Sequence, residues 1–147
     1  MLEKMTIEEF NAWRDQQQVA TTKANREALA GQSEHEIQAA CVKWFYLQYG
    51  PPRALLVAIP NGAHLSGSAK VRAIKMQKLK AEGLVTGAAD LMLIHLRGVV
   101  FLECKTPKGR MSDAQKAFQD DVERLGQPYF VFRSLEEFQE IVNQALF

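Results

Sequence analysis

Asp90, Glu103 and Lys105 are the residues whose types and spacing suit chemistry on a phosphate. Glu103-Cys104-Lys105 closes an apolar run, Val99-Val100-Phe101-Leu102, that reads as a strand. Side chains alternate faces along a strand, so Glu103 and Lys105 share a face and Cys104 points into the opposite layer. Asp90 opens the strand-like segment before it. Two acids and a lysine on one sheet face form a site for a hard divalent cation, Mg²⁺ or Mn²⁺, and an activated water. In this reading Asp90 and Glu103 are oxygen ligands and the backbone carbonyl of Cys104 is a third. Lys105 orients or deprotonates the water and stabilises developing negative charge. The competing reading of Glu103 and Lys105 is an exposed cross-strand ion pair. A strand flanked by two helices should be buried on both faces, and burying charges without a task is costly.

A fourth acid can join them. Ser33-Glu34-His35-Glu36 has the form of a capping box and opens a helix running to about residue 49. Ile37, Cys41, Trp44 and Gln48 mark one side of it, and Glu34 sits beside that stripe. Glu34 could hold the same metal or a bridging water. Glu36 is the alternative, but the capping box already gives it a structural task, so Glu34 is favoured. Gln38, one turn on, is as readily an exposed helix residue. His64 reads as a solvated loop histidine, and Asn61 as a turn residue.

The elements that must position these groups follow from the pattern. Residues 6–30 read as a polar peripheral helix, with Thr6 to Glu9 as its capping box and Phe10 and Trp13 as apolar anchors. Gly50-Pro51-Pro52 stops the helix that begins at Ser33. A strand over 54–59 is closed by Pro60-Asn61-Gly62. A basic helix spans 70–82 and ends at Gly83. A strand over 90–96 turns through Arg97-Gly98 into a strand over 99–105. Ser112 caps a helix with Ala117, Phe118, Val122 and Leu125 on one stripe. Residues 129–132 form a last buried strand, and Ser134 caps a final helix carrying Phe138, Ile141 and Val142. The order implies an α/β fold, a mixed central sheet of about four strands with helices on both faces.

Composition narrows the function classes. The 147 residues are 47% apolar and 24% charged, ordinary for one soluble domain. No apolar run is long enough to span a membrane and no signal peptide opens the chain, which points to a cytoplasmic protein. Cys41 and Cys104 read as reduced core thiols, and with three histidines a structural zinc cage is not expected. The net charge of +1 says nothing about nucleic acid. Its distribution does. Between Lys70 and Arg110 stand nine basic residues, broken by three acids, of which two are Asp90 and Glu103. A basic middle is the polarity expected if it faces phosphates, although 70–80 alone would read as a solvated helix face. Lys70, Arg72, Lys75, Lys78, Lys108 and Arg110 are the candidate DNA contacts. Trp44 and Phe45 read as core or interface residues rather than base-stacking platforms.

Four stretches together resemble the VRR-NUC branch of the PD-(D/E)xK nucleases. They are Ser33-Glu34-His35-Glu36-Ile37-Gln38, Ala58-Ile59-Pro60-Asn61-Gly62, the run from Leu79 through Thr86-Gly87-Ala88-Ala89-Asp90-Leu91, and Phe101-Leu102-Glu103-Cys104-Lys105 through Arg110, with Ser112 and Gln115. They span about residues 33–142. The resemblance implies a restriction-endonuclease-like fold and a Mg²⁺- or Mn²⁺-dependent deoxyribonuclease. It carries Asp90, Glu103 and Lys105 over as the catalytic trio, Glu34 as the helix carboxylate and Gln115 as a supporting residue. It further implies a phage or bacterial protein, selective for branched DNA such as flaps or junctions, working as a homodimer. Ala89 stands where the family usually has Pro, which loosens the entry to the strand without removing a ligand. The expected organisation is an N-terminal helical extension over 1–30 and a nuclease domain over 31–147. The alternatives are a DNA-binding module with little chemistry, or a nuclease subunit of a phage replication or recombination complex with little activity alone.

Overall fold

The computed structural model describes Ala12 and residues 31–60 and 65–147. The expected helix over 6–30, apart from Ala12, and Trp13, Asn61 and His64 therefore lie outside the described residues. From Gly31 onward the order is α1 (Glu34–Gln48), β1 (Ala54–Ala58), α2 (Ala69–Ala81), β2 (Leu91–His95), β3 (Gly98–Cys104), α3 (Asp113–Arg124), β4 (Tyr129–Phe132) and α4 (Leu135–Leu146).

The four strands form one mixed sheet in the order β1-β2-β3-β4. The first two pairings are antiparallel and β3 pairs parallel with β4. The hairpin turn is shifted by one residue from its expected place. Gly98 already pairs with His95, so Leu96 and Arg97 make the turn, and Gly98 supplies the positive φ of 142° where β3 begins.

Side-chain alternation splits the sheet into two layers. On one side Leu56, Leu93, Val100, Leu102, Cys104, Phe130 and Phe132 meet Ile37, Cys41 and Phe45 of α1 and Phe138, Ile141, Val142 and Ala145 of α4. On the other, α3 covers the β3–β4 half, where Phe118 and Val122 pack with Phe101, Tyr129 and Val131. Helices thus lie on both faces of an α/β fold.

Two stripes differ from the sequence reading. In α1 the buried positions are Ile37, Cys41 and Phe45, spaced by four, while Trp44 is half-buried with its ring edge-on to Phe138, and Gln48 is exposed. In α3 only Val122 is fully buried; Phe118 is half-buried, whereas Ala117 and Leu125 face outward. A helix lying on half a sheet needs a narrower stripe than a fully covered one. Among the described residues no helix is long and apolar enough to cross a membrane. Both cysteines are free and buried. Burial pushes the Cys41 thiol up to about 12.

The α1–sheet layer rests on Phe45, which has no exposed surface. Phe45→Ala should cost roughly 3–5 kcal/mol through lost burial and a residual cavity. Urea unfolding measures this, and a loss below about 1 kcal/mol would show that the layer does not depend on this ring.

Candidate active site

The chemistry-bearing side chains meet at the end of β3. Glu103 is fully buried and Lys105 is 6% exposed. Lys105 lies one residue past β3, yet its N–H still bonds the Phe132 carbonyl at 3.0 Å, so β4 fixes its direction. Its Nζ reaches Glu103 Oε1 at 2.7 Å and Glu34 Oε1 at 3.6 Å. Asp90 enters from the head of β2. Its Oδ2 accepts from the Cys104 N–H at 2.9 Å, and its own carbonyl accepts from Ile59 N–H at 2.8 Å, tying it to both neighbouring strands.

The two acids at the start of α1 have different partners. Glu36 closes the capping box, accepting from Ser33 N–H and Oγ at 2.8 Å each, and that contact holds its carboxyl below the usual range. Glu34 is the one turned toward Lys105. Cys104, pointing into the opposite layer as strand alternation requires, places its Sγ 3.4 Å from the Glu34 carbonyl oxygen.

Gln115 performs two tasks. Its Oε1 accepts from Ser112 N–H at 2.8 Å, while Ser112 Oγ accepts from Gln115 N–H at 3.2 Å, a capping box at the head of α3. Its Nε2 donates to Glu103 Oε1 at 2.5 Å. Tyr129 was not legible as a site residue. It is fully buried, with its hydroxyl 3.5 Å from Glu103 Oε2. A tyrosine inside an otherwise apolar strand, Tyr129-Phe130-Val131-Phe132, needs a polar partner, and that is the one signal the sequence carried.

The electrostatics are those of crowded acids around one ammonium. Burial pushes the Glu103 carboxyl up against the pull of Lys105, and the Asp90 and Glu34 charges add to the rise. Burial likewise raises Asp90, opposed by the Cys104 N–H and Lys105. Burial alone would lower Lys105, but its contact with Glu103 and the fields of Glu34 and Asp90 outweigh this and hold it above its ordinary value. Raised carboxyl values favour the folded state in acid, and that advantage is lost as pH rises through them. Ionising these acids as pH rises therefore strains the site.

Glu34, Asp90, Lys105 and Gln115 line a cleft of about 310 Å³, and Glu103 lies beneath it. The lining also includes apolar side chains, Met76 from α2 and Leu84 and Val85 from the turn after it. Among the described residues no three His, Cys, Asp or Glu side chains are grouped to cage a metal. The donor chemistry nevertheless fits Mg²⁺ or Mn²⁺. Mg²⁺ characteristically takes one or two carboxylates and keeps several waters.

The candidate phosphate contacts fall into two groups. Lys70, Arg72, Lys75 and Lys78 are exposed on α2, a helix that buries none of its residues. Arg72 and Lys75 reach back to the Gly67 and Ser66 carbonyls, at 3.2 and 3.0 Å. Lys78 lies 4.0 Å from Glu82. Lys108 and Arg110 are exposed on the loop after β3. Arg133, which the sequence reading passed over, clamps that loop through the Thr106 and Gly109 carbonyls at 2.6 and 2.8 Å.

No family model and no curated protein matches the chain. A solved structure described as a VRR_NUC domain protein is similar, with a TM-score of 0.60 and 19% sequence identity, covering 78% of this chain and 88% of that one. The fold is that of a VRR-NUC domain. Within this VRR-NUC fold, the residues named from the sequence resemblance occupy the end of β3, the head of β2 and the starts of α1 and α3.

The turn before Asp90 is built against α3. A Cβ at Gly87 would lie 2.3 Å from the Ala114 carbonyl carbon and 2.6 Å from Gln115 N, and Gly87 has φ +79°. Gly87→Ala should therefore destabilise the protein by roughly 1–3 kcal/mol, as overpacking and a positive φ both oppose it. Urea unfolding would detect the loss; an unchanged midpoint would mean the turn does not rest on α3.

Proposed function

We propose that this protein is a Mg²⁺- or Mn²⁺-dependent DNA endonuclease that hydrolyses phosphodiester bonds, with branched DNA as its preferred substrate. What carries the reading is the convergence of Glu34, Asp90, Glu103, Lys105 and Gln115 at one cleft on a VRR-NUC fold. A phosphodiester presents an anionic group, and hydrolysis needs a positioned water and relief of charge in the transition state.

Asp90 and Glu103, with Glu34 and the Cys104 backbone carbonyl, are the oxygen donors that would hold the cation. When bound, it supplies Lewis-acid polarisation of the phosphate and lowers the pKa of a water. Lys105 retains its proton in the free protein because three carboxylates face it. It stabilises charge on the phosphoryl oxygens and orients the attacking water. Gln115 fixes the direction of Glu103, so the carboxylate has one posture rather than many. Lys70, Arg72, Lys75 and Lys78 on α2, and Lys108 and Arg110 on the loop after β3, hold the strand by its phosphates without reading bases. A pair of such sites in a homodimer suits paired incisions on branched DNA. The branched-DNA preference and the dimer rest on the family resemblance.

The deciding experiment compares cleavage of single-stranded, duplex, flap and four-way-junction DNA in Mg²⁺, Mn²⁺ or EDTA. Lys105→Ala should lower the rate at least about 10²-fold, the scale of a lost proton-transfer or charge-stabilising group. Glu34→Gln should lower it more than Glu36→Gln. DNA binding with no cutting by the native protein would replace this reading with that of a binding module.

Cation binding has its own signature. Protons and cations compete for the raised carboxylates Asp90 and Glu103. At a hundredfold excess over Kd, Mn²⁺ should add about 2.7 kcal/mol of stability at pH 7.5 and markedly less near pH 5. Thermal melts measure this, and an equal gain at both pH values, or in Asp90→Asn, would place the ion elsewhere.

A further inference from the structure

Besides its charged groups, the cleft is lined by three apolar side chains that hydrolysis does not explain. Met76 and Leu84 are half-buried there, and Val85 is 54% exposed at the cleft. An aliphatic side chain left in water beside carboxylates and a lysine gains nothing from a phosphate. The turn bearing two of them is also held in place. Leu84 N–H bonds the Leu79 carbonyl at 2.9 Å, and Ala88 N–H bonds the Val85 carbonyl at 3.2 Å. Val85 thus stands on a hydrogen-bonded turn, three residues before the chain becomes buried at Ala88 and Ala89.

We infer that Met76, Leu84 and Val85 receive one unstacked nucleotide, so that the cleft selects DNA carrying an unpaired or easily frayed base beside the scissile phosphate. The inference rests on the nuclease reading above and names the residues that would discriminate among its substrates. In paired duplex the apolar base faces are buried against each other, and only charged backbone and sugar edges meet the protein. A base rotated out of the stack offers an apolar face to these apolar side chains, and aliphatic side chains serve as wedges between base steps for this reason. The cost of unstacking is smallest where the base is mismatched or already single-stranded, which turns the contact into selectivity. A volume of about 310 Å³ lies at the small end of ligand clefts and admits a single such group. The phosphates flanking such a base would find exposed basic groups nearby in sequence. Lys70, Arg72, Lys75, Lys78 and Lys80 stand on the helix that carries Met76.

The test uses the full chain and two readouts. The first is fluorescence of 2-aminopurine at the last paired nucleotide of a single-strand/duplex junction, bound in Ca²⁺, with the same label inside continuous duplex as reference. The second is the ratio of kcat/KM on the junction to that on the duplex, in Mg²⁺ or Mn²⁺. The native protein should raise the junction fluorescence. Val85→Ser, a change at an exposed position, should abolish most of that rise and lower the ratio about tenfold, and Val85→Ile should restore both. No rise with bound native protein, or the same ratio in Val85→Ser, overturns the inference. A fluorescence rise lost in Val85→Ser and restored in Val85→Ile, from a protein that cuts no DNA, upholds the nucleotide contact and sinks only the nuclease reading.

Discussion

The buried pair Glu103–Lys105 is the constraint around which the rest of the structure is arranged. Two charges taken out of water are tolerated only when their remaining bonding capacity is met. Here Lys105 faces Glu103 and Glu34, and Glu103 also faces Gln115 and Tyr129. Each partner arrives from a different element: α1, α3 and β4. The pair therefore converts the relative placement of those elements into an electrostatic requirement. Among the described residues every buried side-chain nitrogen and oxygen has a partner, so the arrangement is complete as a bonding network.

That completeness is bought at one place, the crowding of Asp90, Glu103 and Glu34. Burial and mutual repulsion hold the first two carboxyls high, so the folded protein keeps an affinity for positive charge exactly where Asp90 opens to the cleft. The network is thus complete in its hydrogen bonds and strained in its charges.

Much of this was readable in the chain. The period-two alternation over 99–105 put Glu103 and Lys105 on one face and Cys104 in the core, and β3 has that arrangement because β4 locks its register. Ser33 with Glu36, and Ser112 by itself, announced two helix starts, and both caps form, the second completed by Gln115. What local pattern could not carry is partnership across the fold. The narrow stripe of α3 follows from its lying over half a sheet, which no window of sequence records. Tyr129 and Arg133 acquire their roles from β3 and the loop after it, both more than twenty residues away. The apolar lining of Met76, Leu84 and Val85 is visible only once the turn after α2 is seen beside Asp90.

The helix α2 buries none of its residues, while β3 is locked between β2 and β4 and packed from both sides. Substitutions on α2 are therefore felt little by the core, whereas substitutions around Glu103 are felt by every layer. The chain thus separates a conservative compartment from a permissive one. Charge pattern and shape on the outer face of α2 are free to drift without β3 and the layers around it being rebuilt.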